Sequence, residues 1–292
     1  FIEIIIFFPL NKLFKKFDVS RIHFDYSMKK YGSEYCFYRY KDTIPINYEK
    51  CIVQRKNTLW DVFNRFKIDK KFYVVFFFRD NQFWGKDPLN QIRNSDIENY
   101  LPLINLFIKN QIPIIRAGRS RKPRKDYFKS RYYFDISWSD QDPESYEDIL
   151  FANAGMIIGS NSGIMLYQKL EHNPMILTNW IPVGLKPYFK NTLYLCKHFY
   201  LAEKEIRPYL MPKELWLNED IRHYEARDYR VVDNSSDLII ESVSEIIEFG
   251  KHKIKNNFYD NNNDSINASI LPFVYGGESK LSRSYIKYIN NL

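Results

Sequence analysis

The sequence predicts an α/β protein built on a doubly wound parallel sheet, and three observations carry that prediction. Short apolar runs without polar alternation recur through the middle of the chain (Phe72 to Phe78, Ile112 to Ile115, Gly155 to Ile158, Pro174 to Leu177), as strands buried on both faces require. Segments with apolar residues at helical spacing lie between them, joined by short connections. Each run then stops abruptly in charged, glycine or small polar residues, which lines the chemistry-bearing side chains along one edge of the sheet.

Residues 1 to 70 give the weakest pattern. Leu59 to Phe66 predicts a helix with Leu59, Val62, Phe63 and Phe66 on one face, and the segment as a whole reads as a partial N-terminal lobe or a packing extension. The first buried strand, Phe72 to Phe78, ends in Arg79-Asp80, where open α/β sheets bind ligands; a local ion pair at a solvated strand end is the plainer reading. Ser95-Asp-Ile-Glu98 spells a capping box ahead of a helix carrying Ile97, Leu101, Ile104 and Phe107, and Pro102 bends that helix or starts it anew. The strand Ile112 to Ile115 is closed by Arg116-Ala-Gly118, and Tyr132 to Ile136 carries Asp135.

A helix over Glu144 to Ala152 follows Pro143, and the next strand, Gly155 to Ile158, runs into Gly159-Ser160-Asn161-Ser162-Gly163 before apolar residues return at helical spacing from Ile164. Small residues that open a helix expose backbone N–H groups at the positive end of the helix dipole, which is an anion site; the same residues also serve as ordinary helix caps. Pro174 to Leu177 is expected to end at Thr178-Asn179-Trp180, and Thr192 to Cys196 is a further strand followed by Lys197, read as a solvated strand end within reach of a phosphate. Arg230 to Ser236 leads into a helix over Leu238 to Phe249, which completes a lobe spanning residues 71 to 250. Lys251 to Asn267 has the composition of a linker, and Leu281 to Leu292 that of an amphipathic helix, so 251 to 292 reads as linker and terminal helix.

With 292 residues and 45% hydrophobic content the chain can bury a sizeable core, as one large domain or two modest ones. The net charge of +8 favours anionic partners. No Lys/Arg block is long enough for a nucleic-acid stripe, and the densest, Arg116 to Lys125, has no aromatic platform. Three cysteines and five histidines show no spacing of a disulfide framework or metal site. Asp140-Gln-Asp142 precedes Pro143 and reads as acidic residues at a helix start rather than as a metal motif. Gly-x-Ser-x-Gly, P-loop and dinucleotide glycine motifs are missing, which argues against hydrolase, NTPase and NAD chemistry. With no disulfide framework indicated, the cytoplasm is the expected compartment. Phe1 to Leu10 contains Glu3, is too short to span a membrane and lacks a basic leader, and the chain does not begin with Met, which leaves a preceding segment open.

Taken in order, Phe78-Arg79-Asp80, Arg93 to Pro102, Ile115-Arg116-Ala-Gly118, Tyr133-Phe-Asp135, Ile158-Gly-Ser-Asn-Ser-Gly163 and Leu177-Thr-Asn-Trp180-Ile-Pro182 resemble a family of bacterial glycosyltransferases of surface-carbohydrate loci. The resemblance covers roughly residues 72 to 250, and Gly276 to Tyr285 resembles the terminal segment of that family. It implies a GT-B architecture of two Rossmann-like lobes, here with a short or truncated N-terminal lobe. The Arg79 strand end resembles the phosphate-binding arginine of O-fucosyltransferase-like enzymes, and the Ser-Asn-Ser-Gly turn resembles the donor-phosphate turn of heptosyltransferase-like ones.

By this resemblance Arg79 neutralises the leaving diphosphate, and Gly159, Ser160, Asn161, Ser162 and Gly163 bind it through amides and hydroxyls. Arg116 and Gly118 then border the donor pocket, Asn179 faces the sugar or ribose, and Asp80 is the candidate base. The expectation is a metal-independent transferase with no cofactor, taking a sugar from a nucleotide-diphosphate sugar to a glycan or lipid-linked acceptor at the inner face of the membrane. Peripheral membrane contact is an alternative use of the terminal helix. A non-catalytic nucleotide- or sugar-binding protein is the alternative to an enzyme.

Overall fold

The computed structural model describes residues 63–64, 72–77, 79, 88–118, 129–137, 150–151, 153–160, 162, 173–187, 191–251, 253–255 and 279–292. The chain divides into two units, Phe1–Ile46 and Asn47–Leu292, and every described residue belongs to the second. The N-terminal pattern up to residue 62, Asp80, the basic loop from Arg119, most of the Glu144 to Ala152 helix, Asn161, Gly163 and the helix after it lie outside the described residues.

The strands are β1 Val74–Phe77, β2 Ile114–Ala117, β3 Tyr133–Asp135, β4 Met156–Gly159, β5 Met175–Trp180, β6 Thr192–Cys196, β7 His198–Leu201, β8 Lys204–Ile206, β9 Tyr229–Val232, β10 Ile247–Glu248, β11 Lys253–Ile254 and β12 Lys280–Leu281. Seven of them form one sheet in the order β3-β2-β1-β4-β5-β6-β12, and all its pairings are parallel. The first six follow the Rossmann order, with the reversal of winding between β1 and β4. The sequence-based expectation of a doubly wound parallel sheet is therefore met.

The side chains of β1 show why the strand tolerates no polar residue. Phe76 meets Phe107 edge to face at 5.8 Å between centroids, and its neighbour Phe77 meets Phe151 at 6.0 Å on the other face. Adjacent residues of a strand point to opposite faces, so both faces of the sheet are covered. Phe63, from the predicted N-terminal helix, is buried and packs on the Tyr73 ring.

Five helices are described: α1 Pro88–Gln91, α2 Leu101–Lys109, α3 Ile221–Glu225, α4 Ser236–Ile246 and α5 Arg283–Asn290. Pro102 starts α2 anew after a 3-10 turn over Ile97–Tyr100. The cap of that turn is Asp96, whose carboxylate accepts from Glu98 N–H at 3.0 Å, and not the Ser95 of the expected capping box. Ser95 is engaged elsewhere, accepting at Oγ from Asn179.

The structure differs from the sequence reading elsewhere too. β5 does not end at Leu177 but continues to Trp180 through a register shift, and Asn179 sits in the shift with φ +54°, a left-handed conformation that asparagine tolerates better than most residues. Between β6 and α4 the chain adds a separate antiparallel sheet, β8-β7-β9, for which the sequence reading makes no prediction. The terminal segment is no appendage: β12 pairs with β6, and α5 buries Tyr285, Ile286 and Ile289 while packing on α4. That apolar face is buried, and α4 is one element packed against it. Lys253–Ile254, read as linker, pairs as β11 with β10; residues 256–278 lie outside the described residues.

Candidate functional site

The carboxyl ends of β1 and β4 meet at the point where the winding of the sheet reverses, and two residues fasten them. The amide of Arg79, just past β1, donates to Ser160 Oγ, just past β4, at 3.1 Å. The Ser160 amide in turn donates to Phe77 O at 2.9 Å, and Ser95 N–H closes the other side by donating to Arg79 O at 3.0 Å. Arg79 is 5% exposed and Ser160 fully buried. In open α/β sheets this crevice is where ligands bind.

Placing the sequence-derived candidates on this frame separates them. Ser160 uses its N–H and its hydroxyl within the protein, so the expectation that its amide faces a ligand is corrected: it builds the floor of the turn. Gly159 belongs to β4, opposite Phe77 and Leu177. Ser162 is partly buried beyond it. Arg116 lies inside β2 rather than after it, and its guanidinium is paired with Asp135 at 3.1 Å, both side chains nearly inaccessible. Asp135 also accepts from the N–H and hydroxyl of Ser137, at 3.0 and 2.6 Å. Gly118 adopts φ +100°, and a Cβ there would come within 2.8 Å of the Phe77 ring, so the chain leaves β2 by a route that only glycine takes without strain.

Asn179 is likewise taken up within the protein. Its N–H donates to Asn234 Oδ1 at 2.7 Å, and its Oδ1 accepts from Asn234 N–H at 2.6 Å. Its Nδ2 donates to Ser95 Oγ and to Tyr100 Oη, both at 3.1 Å. With both amide hydrogens used, Tyr100 must pass its own hydrogen to Thr178 Oγ1 at 2.5 Å, and Thr178 donates onward to Gly159 O at 3.3 Å. Burial holds the Tyr100 hydroxyl well above its ordinary pKa, so it acts as a neutral donor and acceptor.

The network extends away from the switch point. Lys197, expected to be solvated, is buried, pairs with Asp233 and donates to Asn94 O at 2.8 Å. Asp233 also accepts from Asp96 N–H at 2.8 Å, tying the segment before α4 to the loop after β1. Asn234 Nδ2 donates to Cys196 O at 2.7 Å and lies 3.2 Å from His198 Nε2. On its other side His198 Nδ1 is 2.6 Å from Glu205 Oε1, and Tyr200 and Tyr288 donate to the same carboxylate. Burial by itself raises the Glu205 carboxyl, but hydrogen bonds from His198 and Tyr288, attraction to His198 and the Tyr200 bond together bring it below its ordinary range. The Cys196 thiol, fully buried, is pushed well above its ordinary value and stays protonated.

Two solved structures resemble this chain. One is E. coli heptosyltransferase WaaC with ADP-2-deoxy-2-fluoro heptose, at 15% identity and a TM-score of 0.30, covering 53% of this chain and 42% of that one. The other is the same E. coli enzyme with ADP, at 13% identity and a TM-score of 0.29, covering 53% of this chain and 45% of that one. The chain therefore spans less than half the length of either. No protein-family model matches it, and no curated protein does.

Sequence reasoning missed Tyr100, Thr178, Asp233, Asn234 and Glu205, and read His198 as one more isolated histidine. The signal for Asn234 was present but ambiguous. Asp233-Asn-Ser-Ser236 precedes a helix, so any of its members could be the cap; Ser235 takes that role, accepting from Leu238 N–H at 3.3 Å, which leaves Asn234 to reach back to β5. Among the described residues no group of three His, Cys, Asp or Glu could hold a metal ion, and no helix is long and apolar enough to cross a membrane.

Proposed function

We propose that this chain is a glycosyltransferase of GT-B type that moves a sugar from a nucleotide-diphosphate sugar to a surface-glycan acceptor, a polysaccharide, lipopolysaccharide or glycoprotein, without a metal ion. The observation that carries the reading is the bond between Arg79 N–H and Ser160 Oγ across the switch point. It sets a buried arginine beside a turn rich in small polar residues, in the crevice where sheets of this order take nucleotides.

Glycosyl transfer builds negative charge on the departing diphosphate while the sugar carbon becomes oxocarbenium-like, so the site must supply fixed positive charge there. Arg79 supplies it as a guanidinium, whose fork matches phosphate oxygens two at a time. The amides of Asn161, Ser162 and Gly163, at the start of the helix that the sequence predicts, add donors and the positive end of a dipole. Ser160 acts by holding the turn against Arg79. Arg116 and Gly118 shape the neighbouring wall at the end of β2, and Asn179 sets the backbone at the end of β5. Asp80, next in sequence to Arg79, takes the proton of the acceptor hydroxyl.

The test is a thermal-shift panel of nucleotide sugars and nucleoside diphosphates on the wild type, Arg79→Ala and Arg79→Lys. A ligand at one hundred times its Kd adds about 2.7 kcal/mol to stability, an easily read shift. The expected result is stabilisation by at least one nucleotide, lost in Arg79→Ala and weakened in Arg79→Lys, with sugar turnover against an acceptor extract. Stabilisation without turnover would favour the non-catalytic binding protein. A folded sample that none of the ligands stabilises would refute the donor site.

A further inference from the structure

The hydrogen-bond pattern around Asn234 determines which proton His198 carries. Asn234 Oδ1 must face the Asn179 N–H and Nδ2 must face the Cys196 carbonyl, so the amide has one permitted orientation. The remaining Nδ2 hydrogen points to His198 Nε2, which must offer a lone pair. His198 is then neutral, with its hydrogen on Nδ1 and donated to Glu205. Adding a proton at Nε2 sets two N–H groups against each other, and Asn234 has no flipped state to relieve it.

From Asn234 the chain of bonds runs without interruption to both strands of the switch point. Asn179 connects through Ser95 to the carbonyl of Arg79, and through Tyr100 and Thr178 to the carbonyl of Gly159. We infer that His198 is a proton-linked positioning residue: neutral, and held by Glu205, it keeps Asn234 and Asn179 in place and thereby sets the Arg79 and Gly159 backbone for an anionic ligand, and its protonation weakens binding at that site. This rests on the reading of the switch point as a nucleotide-diphosphate site.

The groups that bear on the imidazole come from every element packed around it. Glu205 on β8 accepts from Nδ1, and the Tyr288 and Tyr285 rings of α5 lie 4.9 and 6.3 Å away. Tyr200 on β7 shares the Glu205 carboxylate, and Arg230 on β9 lies over the Tyr200 ring at 4.5 Å. Lys197, the preceding residue, has its charge held by Asp233 on the far side of Asn234. Glu205 favours the charged imidazole and Asn234 opposes it, so the two states of His198 differ in which neighbour is satisfied.

The experiment joins imidazole and amide NMR on the full chain with nucleoside-diphosphate binding (ADP, GDP, UDP and CDP) as a function of pH. The expected spectrum shows the Nδ1–H tautomer at neutral pH, and the amide signals of Arg79, Asn179 and Asn234 move with the same midpoint as His198. Affinity is expected to fall about tenfold or more through that midpoint, within the usual range of site-to-site coupling. His198→Gln, which offers an oxygen at the Nε2 position and does not titrate, gives a pH profile that keeps only the titration of the diphosphate itself, whose terminal phosphate has a second pKa of about 6.

An Nε2–H tautomer, amide signals of Asn179 and Arg79 that ignore the His198 titration, or the wild-type pH profile persisting in His198→Gln would each overturn the inference. Should that variant fail to fold, Glu205→Gln serves. It keeps an acceptor for Nδ1–H but removes the charge beside the imidazole, so the pH dependence of binding changes from that of the wild type, and an unchanged binding profile overturns the inference. Absence of binding by any diphosphate at any pH refutes the donor site instead; the NMR signals then decide the relay alone.

Discussion

Asn179 and Asn234 cap each other: the backbone N–H of each donates to the side-chain oxygen of the other, at 2.7 and 2.6 Å, with both residues fully buried. Fifty-five positions apart in sequence, they fix the bulged end of β5 to the start of α4 through this reciprocal pair of side-chain bonds. Two backbone donors that no strand or helix could satisfy are thereby paired, which is the requirement that buried chain irregularities have to meet.

Replacing either asparagine with alanine leaves a buried N–H without its acceptor, a loss of about 1–3 kcal/mol per group. Asn234→Ala is expected to cost more than 2 kcal/mol, because Cys196 O loses its donor as well. At Asn179, with φ +54°, Asn179→Gly removes the bonds but keeps the left-handed backbone, whereas Asn179→Ala adds strain of about 1 kcal/mol. Urea unfolding should therefore rank Asn179→Ala below Asn179→Gly, and equal midpoints would refute the backbone component.

Gly118→Ala tests the exit from β2. The added methyl meets the Phe77 ring at 2.8 and 3.2 Å in a conformation with φ +100°, so a loss of about 1–3 kcal/mol is expected. Adding Phe77→Leu makes room for the methyl but leaves the backbone strain. In a double-mutant cycle the pair should be less destabilised than the sum of the single variants, and strict additivity would show that the contact is not felt.

Glu205 has a folded-state pKa below its ordinary value, so the unfolded chain binds its proton more tightly. Its contribution to stability is complete above the ordinary carboxylate range and is lost as pH falls through the folded value. Urea midpoints measured from pH 7 downward should fall less steeply in Glu205→Gln than in the wild type over that acid window. Parallel curves would exclude Glu205 as a source of acid sensitivity.

Glu245 anchors the terminal helix. Its carboxylate accepts from Ser282 Oγ at 2.6 Å and from the Arg283 and Ser284 amides at 2.9 Å each, at the N-terminus of α5. Hydrogen bonds to a charged group contribute about 1.5–3 kcal/mol, and the negative charge suits the helix dipole. Glu245→Ala is expected to destabilise by about 2 kcal/mol and to speed amide exchange across residues 283–290, with Glu245→Gln intermediate. Unchanged exchange in both variants would mean that the apolar face of α5 suffices.

The buried parallel strands were legible in the sequence because residues such as Val74 to Phe77 admit only one environment, and their abrupt ends located the crevice. Elsewhere the residue types were right and their use was not. Lys197 sits at a strand end as expected, but Asp233, thirty-six positions away, decides that it is buried and paired. Arg116 was expected to border a donor pocket from a strand terminus; the partner that takes its guanidinium, Asp135, comes from the neighbouring strand. Ser95 and Asp96 compete for one cap, and Asn179 settles the competition by claiming Ser95. Each decision depends on a partner brought close by the fold, which local pattern does not record. The antiparallel β8-β7-β9 sheet escaped for a similar reason: its strands are short, and β9 joins them from across a helical insertion.

The position of β12 has a consequence for how the molecule is made. Residues 279 to 282 run along β6, with Ser279 donating to Pro187 O through both its amide and its hydroxyl, and Ser282 N–H donating to Tyr194 O. Until those residues have left the ribosome, β6 is an open border of unpaired backbone groups, the kind of template that recruits a second chain. Residues 279 to 282 thus cover the β6 border of the sheet, and removing them should leave a lobe that self-associates through β6.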